Sequence, residues 1–205
     1  MAIYTSKTRI DLEDVGYSNK ITNKAILKIL ENAGARQSET IHFGLNDMEN
    51  VGFSWILLGW KVKILKRPIY NEELTINTWG RESNRIFTYR DYEIYDESGE
   101  LCTIATSKWA IVDINTGKLR ELTPEIIEKY QCETKKVFKE DYTLKLKEPT
   151  TIIRKQEYKA QRRDIDINKH IHNLYYLDYA YEVLPEEVYE APECNNIEIM
   201  YKKQI

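Results

Sequence analysis

Cysteine is scarce in this chain. Its 205 residues hold three, Cys102, Cys132 and Cys194, an odd number at wide spacing with no CxxC pair. That pattern offers no disulfide framework and reads as reduced thiols in a cytosolic protein. Long hydrophobic runs are also lacking. No stretch approaches the length a bilayer requires, and residues 1–9 carry no apolar segment of the kind a secretory signal needs. The expected location is therefore cytoplasmic, with no membrane partner. Nor is there a surplus of basic charge: 30 Lys and Arg face 33 Asp and Glu, for a net charge of −3. Non-specific binding to nucleic acid is not expected, and an anionic partner would have to meet a local basic patch. The three histidines include His170 and His172, but no Cys or His lies near them to complete a zinc site. Neither a metal nor a cofactor is expected.

What is present suits a soluble globular protein. The chain is 42% hydrophobic and 31% charged, and is long enough for one large domain or two small ones. A strand is predicted over 2–11. Ala25, Ile26, Ile29, Leu30 and Ala33 recur at helical spacing over 23–33, with Asn32 to Gly34 as a stop. Four strands follow, over 53–65, 74–79, 85–95 and 101–114, separated by short turns. Their Trp55, Trp60, Trp79 and Trp109 are expected in the core or on a cleft wall. Thr123 before Pro124 opens a short helix over 123–130. Residues 132–148 are rich in lysine and read as a surface link, with Lys135, Lys136 and Lys139 on a solvated face. One helix followed by a run of strands predicts an α+β fold, an antiparallel sheet around a helix.

Chemistry-bearing residues gather in one place, 162–173. There Asp166, Asn168 and His170 alternate with Ile167 and Lys169. In an extended segment alternate side chains share a face, so the three are expected to converge. Asp164 to Asn168 is similar to the start of a calcium loop, but that motif needs Gly and Glu where Lys169 and Tyr175 stand, which excludes it. The same stretch is a partial repeat. With residue n set against n+150, Asp14, Ile21 and Asn23 match Asp164, Ile171 and Asn173, and a helix follows in both copies. Gly16, Ser18 and Lys20 occupy the places of the polar triplet, so only the second copy carries it. After its helix the second copy has one predicted strand, over 196–203. By comparison with the first, roughly three strands, about 40 residues, are absent from the second sheet. An unfinished sheet exposes an edge and favours pairing with another chain, a homodimer among the outcomes.

These features together resemble the acyl-acyl-carrier-protein thioesterases of plants and bacteria, which are built as tandem hotdog units. The anchors are Trp55 to Trp79 with Arg67-Pro68, the strand Arg90 to Asp96, Ser107-Lys108-Trp109, and the ordered set Asp164, Asp166, Asn168, His170, Asn173, Tyr176, Glu182 and Pro185. The resemblance implies a tandem hotdog with an N-terminal unit over 1–131, a linker over 132–148 and an incomplete C-terminal unit over 149–205. It implies hydrolysis of the thioester between a fatty acyl chain and the phosphopantetheine arm of acyl carrier protein, in fatty-acid synthesis. Asp166, Asn168 and His170 match the family's catalytic positions: Asn168 and His170 would hold the thioester oxygen and the attacking group, and Asp166 would orient them. A Glu and often a Cys follow in the family at positions that fall here on Gln204 and Ile205. A glutamine orients water without taking its proton, so the nucleophile stays open. Cys194 is off that position and reads as a loop thiol, His172 as a helix-start residue bonding nearby backbone, and His42 as a surface or strand residue. Trp55, Ile56 and Leu57 are expected to line the acyl tunnel, with Asn173 and Tyr176 also in the substrate site. Arg154, Lys155, Arg162 and Arg163 form either a landing patch for the acidic carrier or a solvated strand face. A non-catalytic acyl or acyl-carrier binding protein and an acyl-coenzyme A thioesterase are the alternatives.

Overall fold

The computed structural model describes residues 3–81, 85–140, 146–189 and 194–202. Strand β1 (Tyr4–Arg9) alternates half-buried and exposed residues, the pattern of a strand with one wet face. Helix α1 (Asn23–Thr40) starts where the Thr22 hydroxyl accepts the backbone N–H of Ala25 at 3.1 Å. Ala25, Ile26, Ile29, Leu30 and Ala33 are all buried, as their spacing predicts. The helix does not stop at Gly34, however, and runs on to Thr40. Gly34 marks a close approach: a Cβ there would lie 3.0 Å from Tyr92 Oη and 3.2 Å from Arg90 Cδ. The end comes where His42, exposed, turns to a φ of 60° and the Phe43 N–H returns to the carbonyl of Ser38.

After the short α2 (Met48–Val51) come β2 (Phe53–Ile64), β3 (Glu73–Gly80), β4 (Thr88–Tyr95) and β5 (Leu101–Asp113), with β6 (Leu119–Arg120) on β5. These are the four expected strands, β4 starting later than 85. Along β2, Trp60, Val62 and Ile64 are buried while Lys63 is exposed, the alternation of a half-buried strand. Thr123 and Pro124 open α3 (Pro124–Tyr130), the Thr123 hydroxyl accepting the Ile126 N–H at 3.4 Å. Residues 132–137 are pinned along the sheet. The Glu133 N–H donates to Gly80 O, the Trp79 indole N–H to Lys135 O, and the Val137 N–H to Asp91 Oδ2. Lys135, Lys136 and Lys139 are exposed, as expected, and Lys135 also pairs with the Glu93 carboxylate at 2.7 Å.

The second half supplies α4 (Tyr175–Glu182), α5 (Glu186–Tyr189) and β7 (Asn196–Met200). Strand β7 lies antiparallel on β2, with Ile199 opposite Trp60 and Ile197 opposite Val62. The sheet order is β1-β3-β4-β5-β2-β7. One core joins α1, this sheet and the second half: Leu27, Leu30, Trp60, Leu74 and Tyr92 pack in the same cluster as Leu174, Leu177 and Ile197. The α+β hotdog arrangement, a curled antiparallel sheet around a helix, is therefore present. Between the two halves, the Asn23 amide donates to Tyr181 Oη at 2.6 Å and Arg67 Nε donates to Asn195 Oδ1 at 3.2 Å.

Candidate active site

The repeat in sequence is a repeat in structure. Val15 bridges Ile21 and Ile165 bridges Ile171. The N–H of Gly16 donates to Lys20 O at 3.0 Å and that of Asp166 to His170 O at 2.8 Å; Thr22 N–H reaches Asp14 O at 2.9 Å and His172 N–H reaches Asp164 O at 2.8 Å. Asn19 and Lys169 take the same left-handed conformation, with φ of 58° and 63°. Asp166, Asn168 and His170 are thus members of a tight turn, and the extended face expected from their alternation does not form. The cause lies in Asp166 itself. Its Oδ1 accepts the backbone N–H of Asn168 at 2.8 Å and of His170 at 3.2 Å, a local bond that competes with an extended strand. Gly16 has no side chain to do this, so the triplet also makes the second turn self-bracing.

Behind the turn stands Asp164, buried, its Oδ2 accepting the Gln161 N–H at 2.7 Å and the Tyr179 hydroxyl at 2.9 Å. The Gln161 N–H, with the tyrosine hydroxyls, holds the Asp164 carboxyl below the usual range. Tyr176 meets Tyr201 edge-on at 5.7 Å, and the Tyr201 hydroxyl donates to Asn173 O at 3.3 Å. The loop and the end of β7 are tied together by these contacts.

The turn looks onto a cavity of about 880 Å³. Its walls are of two kinds. Phe53, Trp55, Leu57, Ile126 and Tyr130 give apolar surface, with Trp55 edge-on to Tyr130 at 5.6 Å. Glu31, Asp166, Asn168, His170, His172 and Asn173 give the polar surface. A register shift in β2 between Leu57 and Gly59 falls beside these wall residues, and the Leu58 carbonyl there accepts the Tyr201 N–H at 3.0 Å. Trp55, Ile56, Leu57, Asn173 and Tyr176 all line this one cavity together with Asp166, Asn168 and His170. Asn168 is exposed, while His170 and Asp166 are half-buried. Arg154, Lys155, Arg162 and Arg163 are exposed outside the cavity. The segment carrying Arg154 and Lys155 is irregular, so it presents no strand face, and Arg162 and Arg163 sit in a 3-10 turn. Gln204, with Ile205, lies outside the described residues.

Glu31 is the site residue that the helical reading missed. It lies on the α1 stripe Leu27, Glu31, Gly34, Ser38, whose other members are all buried, and a carboxylate on such a stripe was the available signal. Burial pushes its carboxyl up, and the nearby charge of Asp166 adds to this; His172 and an Asn173 hydrogen bond pull the other way. Burial likewise pushes the Cys102 thiol up to about 11, which makes it a packing residue. Among the described residues no group of three or more His, Cys, Asp or Glu is placed to hold a metal ion, and no helix is long and apolar enough to cross a membrane.

Comparison with known proteins agrees over the whole chain. The family description "Acyl-ACP thioesterase N-terminal domain" matches residues 1–130, and "Acyl-ACP thioesterase C-terminal domain" matches residues 147–205. The chain is 24% identical to an oleoyl-acyl carrier protein thioesterase of Arabidopsis thaliana over 98% of its own length and 60% of the relative's. It is 26% identical to a palmitoyl-acyl carrier protein thioesterase of Cuphea hookeriana over 73% of its length and 38% of the relative's. Among solved structures, an acyl-ACP thioesterase of Bacteroides thetaiotaomicron superposes with a TM-score of 0.86 at 22% identity, covering 100% of this chain and 82% of that one. A 12:0-ACP thioesterase of Umbellularia californica gives 0.83 at 18% identity, covering 100% and 84%. These two likenesses show the fold. The chain spans about 60% of the length of the Arabidopsis relative.

Proposed function

The chain belongs to the acyl-ACP thioesterase family, and on that premise we propose that it hydrolyses the thioester of a fatty acyl chain carried on acyl carrier protein, releasing free fatty acid for lipid synthesis. One observation carries the reading: a single cavity of about 880 Å³ has both an apolar wall able to take an acyl chain and a polar wall holding Asp166, Asn168 and His170. Asp166 braces the turn through two backbone N–H groups, which fixes where Asn168 and His170 stand. Asn168 and His170 then present hydrogen-bonding groups to the thioester carbonyl, where negative charge develops as a nucleophile adds. The exposed cations Arg154, Lys155, Arg162 and Arg163 supply charge complementary to an acidic carrier or its phosphate. The free cysteines support work in a reducing compartment such as the cytoplasm.

The test is hydrolysis by this chain of acyl carrier protein loaded with acyl groups of several lengths, beside the same acyl groups on coenzyme A. His170→Ala should lower turnover at least about 100-fold while acyl-carrier binding persists. A folded wild-type chain that binds without turnover would leave a binding protein, and preference for coenzyme A would change the carrier assigned.

A further inference from the structure

Three residues lining this cavity each hold a buried polar atom without a hydrogen-bond partner: Glu31 Oε2 and Trp55 Nε1 from the first half of the chain, and His170 Nδ1 from the second. Among the described residues none of the three meets a donor or acceptor, an arrangement folded proteins seldom keep without a use, and the indole N–H can only donate. Glu31 Oε1 lies 3.9 Å from His172 Nε2, and the Glu31 side chain, 21% exposed, lines the cavity beside Asp166 and His170. We propose that Glu31 is the proton acceptor for the attacking water, so that the first half of the chain contributes a catalytic residue to the site carrying the second half's polar triplet. The proposal rests on the hydrolase reading above.

Several neighbouring groups are engaged elsewhere, and His170 is held by the turn for the carbonyl oxygen. Asp166 Oδ1 is occupied by the N–H groups of Asn168 and His170. The amides of Asn168 and Asn173 take no proton. His172 Nδ1 accepts the Leu174 N–H at 3.3 Å, and its other nitrogen faces Glu31. The groups facing Glu31 are His172 and Asn173 after the turn, Asp166 within it, and Tyr92 from β4. Burial foremost raises the Glu31 carboxyl, and with His172 pulling it down and Asp166 pushing it up the carboxylate is still a stronger base than an exposed glutamate.

The step balances without any further reactant. Glu31 takes one proton from water as the water oxygen bonds to the thioester carbonyl carbon, while Asn168 and His170 hold the carbonyl oxygen. The C–S bond then breaks, its electron pair leaves on sulfur, and the Glu31 proton passes to that thiolate, giving a carboxylic acid and a thiol.

The experiment uses acyl carrier protein loaded with a fatty acyl group and the whole chain. Glu31→Gln keeps size and can still bond Asn173. It should lower kcat at least about 100-fold with KM little changed, while Glu31→Asp retains part of the activity and shifts the acidic limb of the pH–rate profile. Thermal unfolding separates chemistry from scaffolding. A carboxyl raised in the folded state disfavours folding once pH exceeds its unfolded value, so Glu31→Gln should raise Tm at neutral pH and lose that advantage in acid. Wild-type kcat in Glu31→Gln overturns the proposal, as does a loss of kcat accompanied by a lowered Tm, which is the mark of a structural brace. A wild-type chain that binds acyl carrier protein without turnover overturns the hydrolase reading and the base with it, a failure distinct from an active Glu31→Gln.

Discussion

Replacing Gly34 with alanine sets two effects of opposite sign against each other. In an unencumbered helix interior alanine is the better residue by about 1 kcal/mol. At this position the new methyl would sit 3.0 Å from Tyr92 Oη and 3.2 Å from Arg90 Cδ. Both neighbours are held by contacts that a shift would disturb. Tyr92 is fully buried, its ring lies 5.3 Å from that of Trp60, and its hydroxyl accepts from Ser107 Oγ. Arg90 is buried as well, its guanidinium donating to Gln37 Oε1 and Thr78 Oγ1. Overpacking of this kind costs about 1–3 kcal/mol, so the clash outweighs the gain in propensity. The expected net loss is about 1 kcal/mol, read as a fall of about 2–4 °C in Tm for a domain of this size. Urea and thermal denaturation followed by circular dichroism measure it. An alanine variant more stable than the wild type would refute the claim that α1 approaches β4 closely enough to require glycine.

Lys169 holds a left-handed φ of 63°, and replacing it with glycine relieves a cost of about 1–2 kcal/mol while adding freedom to the unfolded chain worth roughly half of that. Lys169→Gly should therefore be more stable by a few tenths to about 1 kcal/mol in urea denaturation, and a loss of stability would contradict strain at that residue. Asp96 accepts from Lys66 Nζ at 2.6 Å and from the Ser98 and Glu100 N–H groups, and the lysine foremost holds its carboxyl well below the usual range. Because the folded value is depressed, its contribution is present above about pH 4 and is lost as pH falls below that. Asp96→Asn should flatten the acid limb of a Tm–pH curve, and an unchanged limb would show that the network contributes nothing there.

Features whose cause is local could be read from the chain alone. The alternation of Trp60, Val62 and Ile64 with lysines marks β2, because burial on one face imposes a period of two wherever the partner strand lies. Thr123-Pro124 marks the start of α3, because a cap acts within one turn. The pairing of Asp14 with Asp164, Ile21 with Ile171 and Asn23 with Asn173 identified two copies of one loop, and the structure gives both copies the same hydrogen bonds. It also marked the second copy as the one bearing the polar triplet. The conformation of that triplet is not legible locally, since alternation suggests a strand and a lysine does not advertise positive φ. Asn19 in the first copy did, being of a type that tolerates the left-handed region.

Tertiary structure decided the rest. Gly34 reads as a helix stop until Tyr92 and Arg90 of β4 are set against it. Lys135 is exposed as expected, but its pairing with Glu93 has no local cue. Strand β7 gives no sign that its partner is β2, and Glu31 gives no sign that residues 166–173 will close over it. In each case the deciding neighbour is remote along the chain. Composition and periodicity report what a residue needs, burial or water, a cap or a turn; which distant group supplies that need is chosen only when the two halves pack into one core.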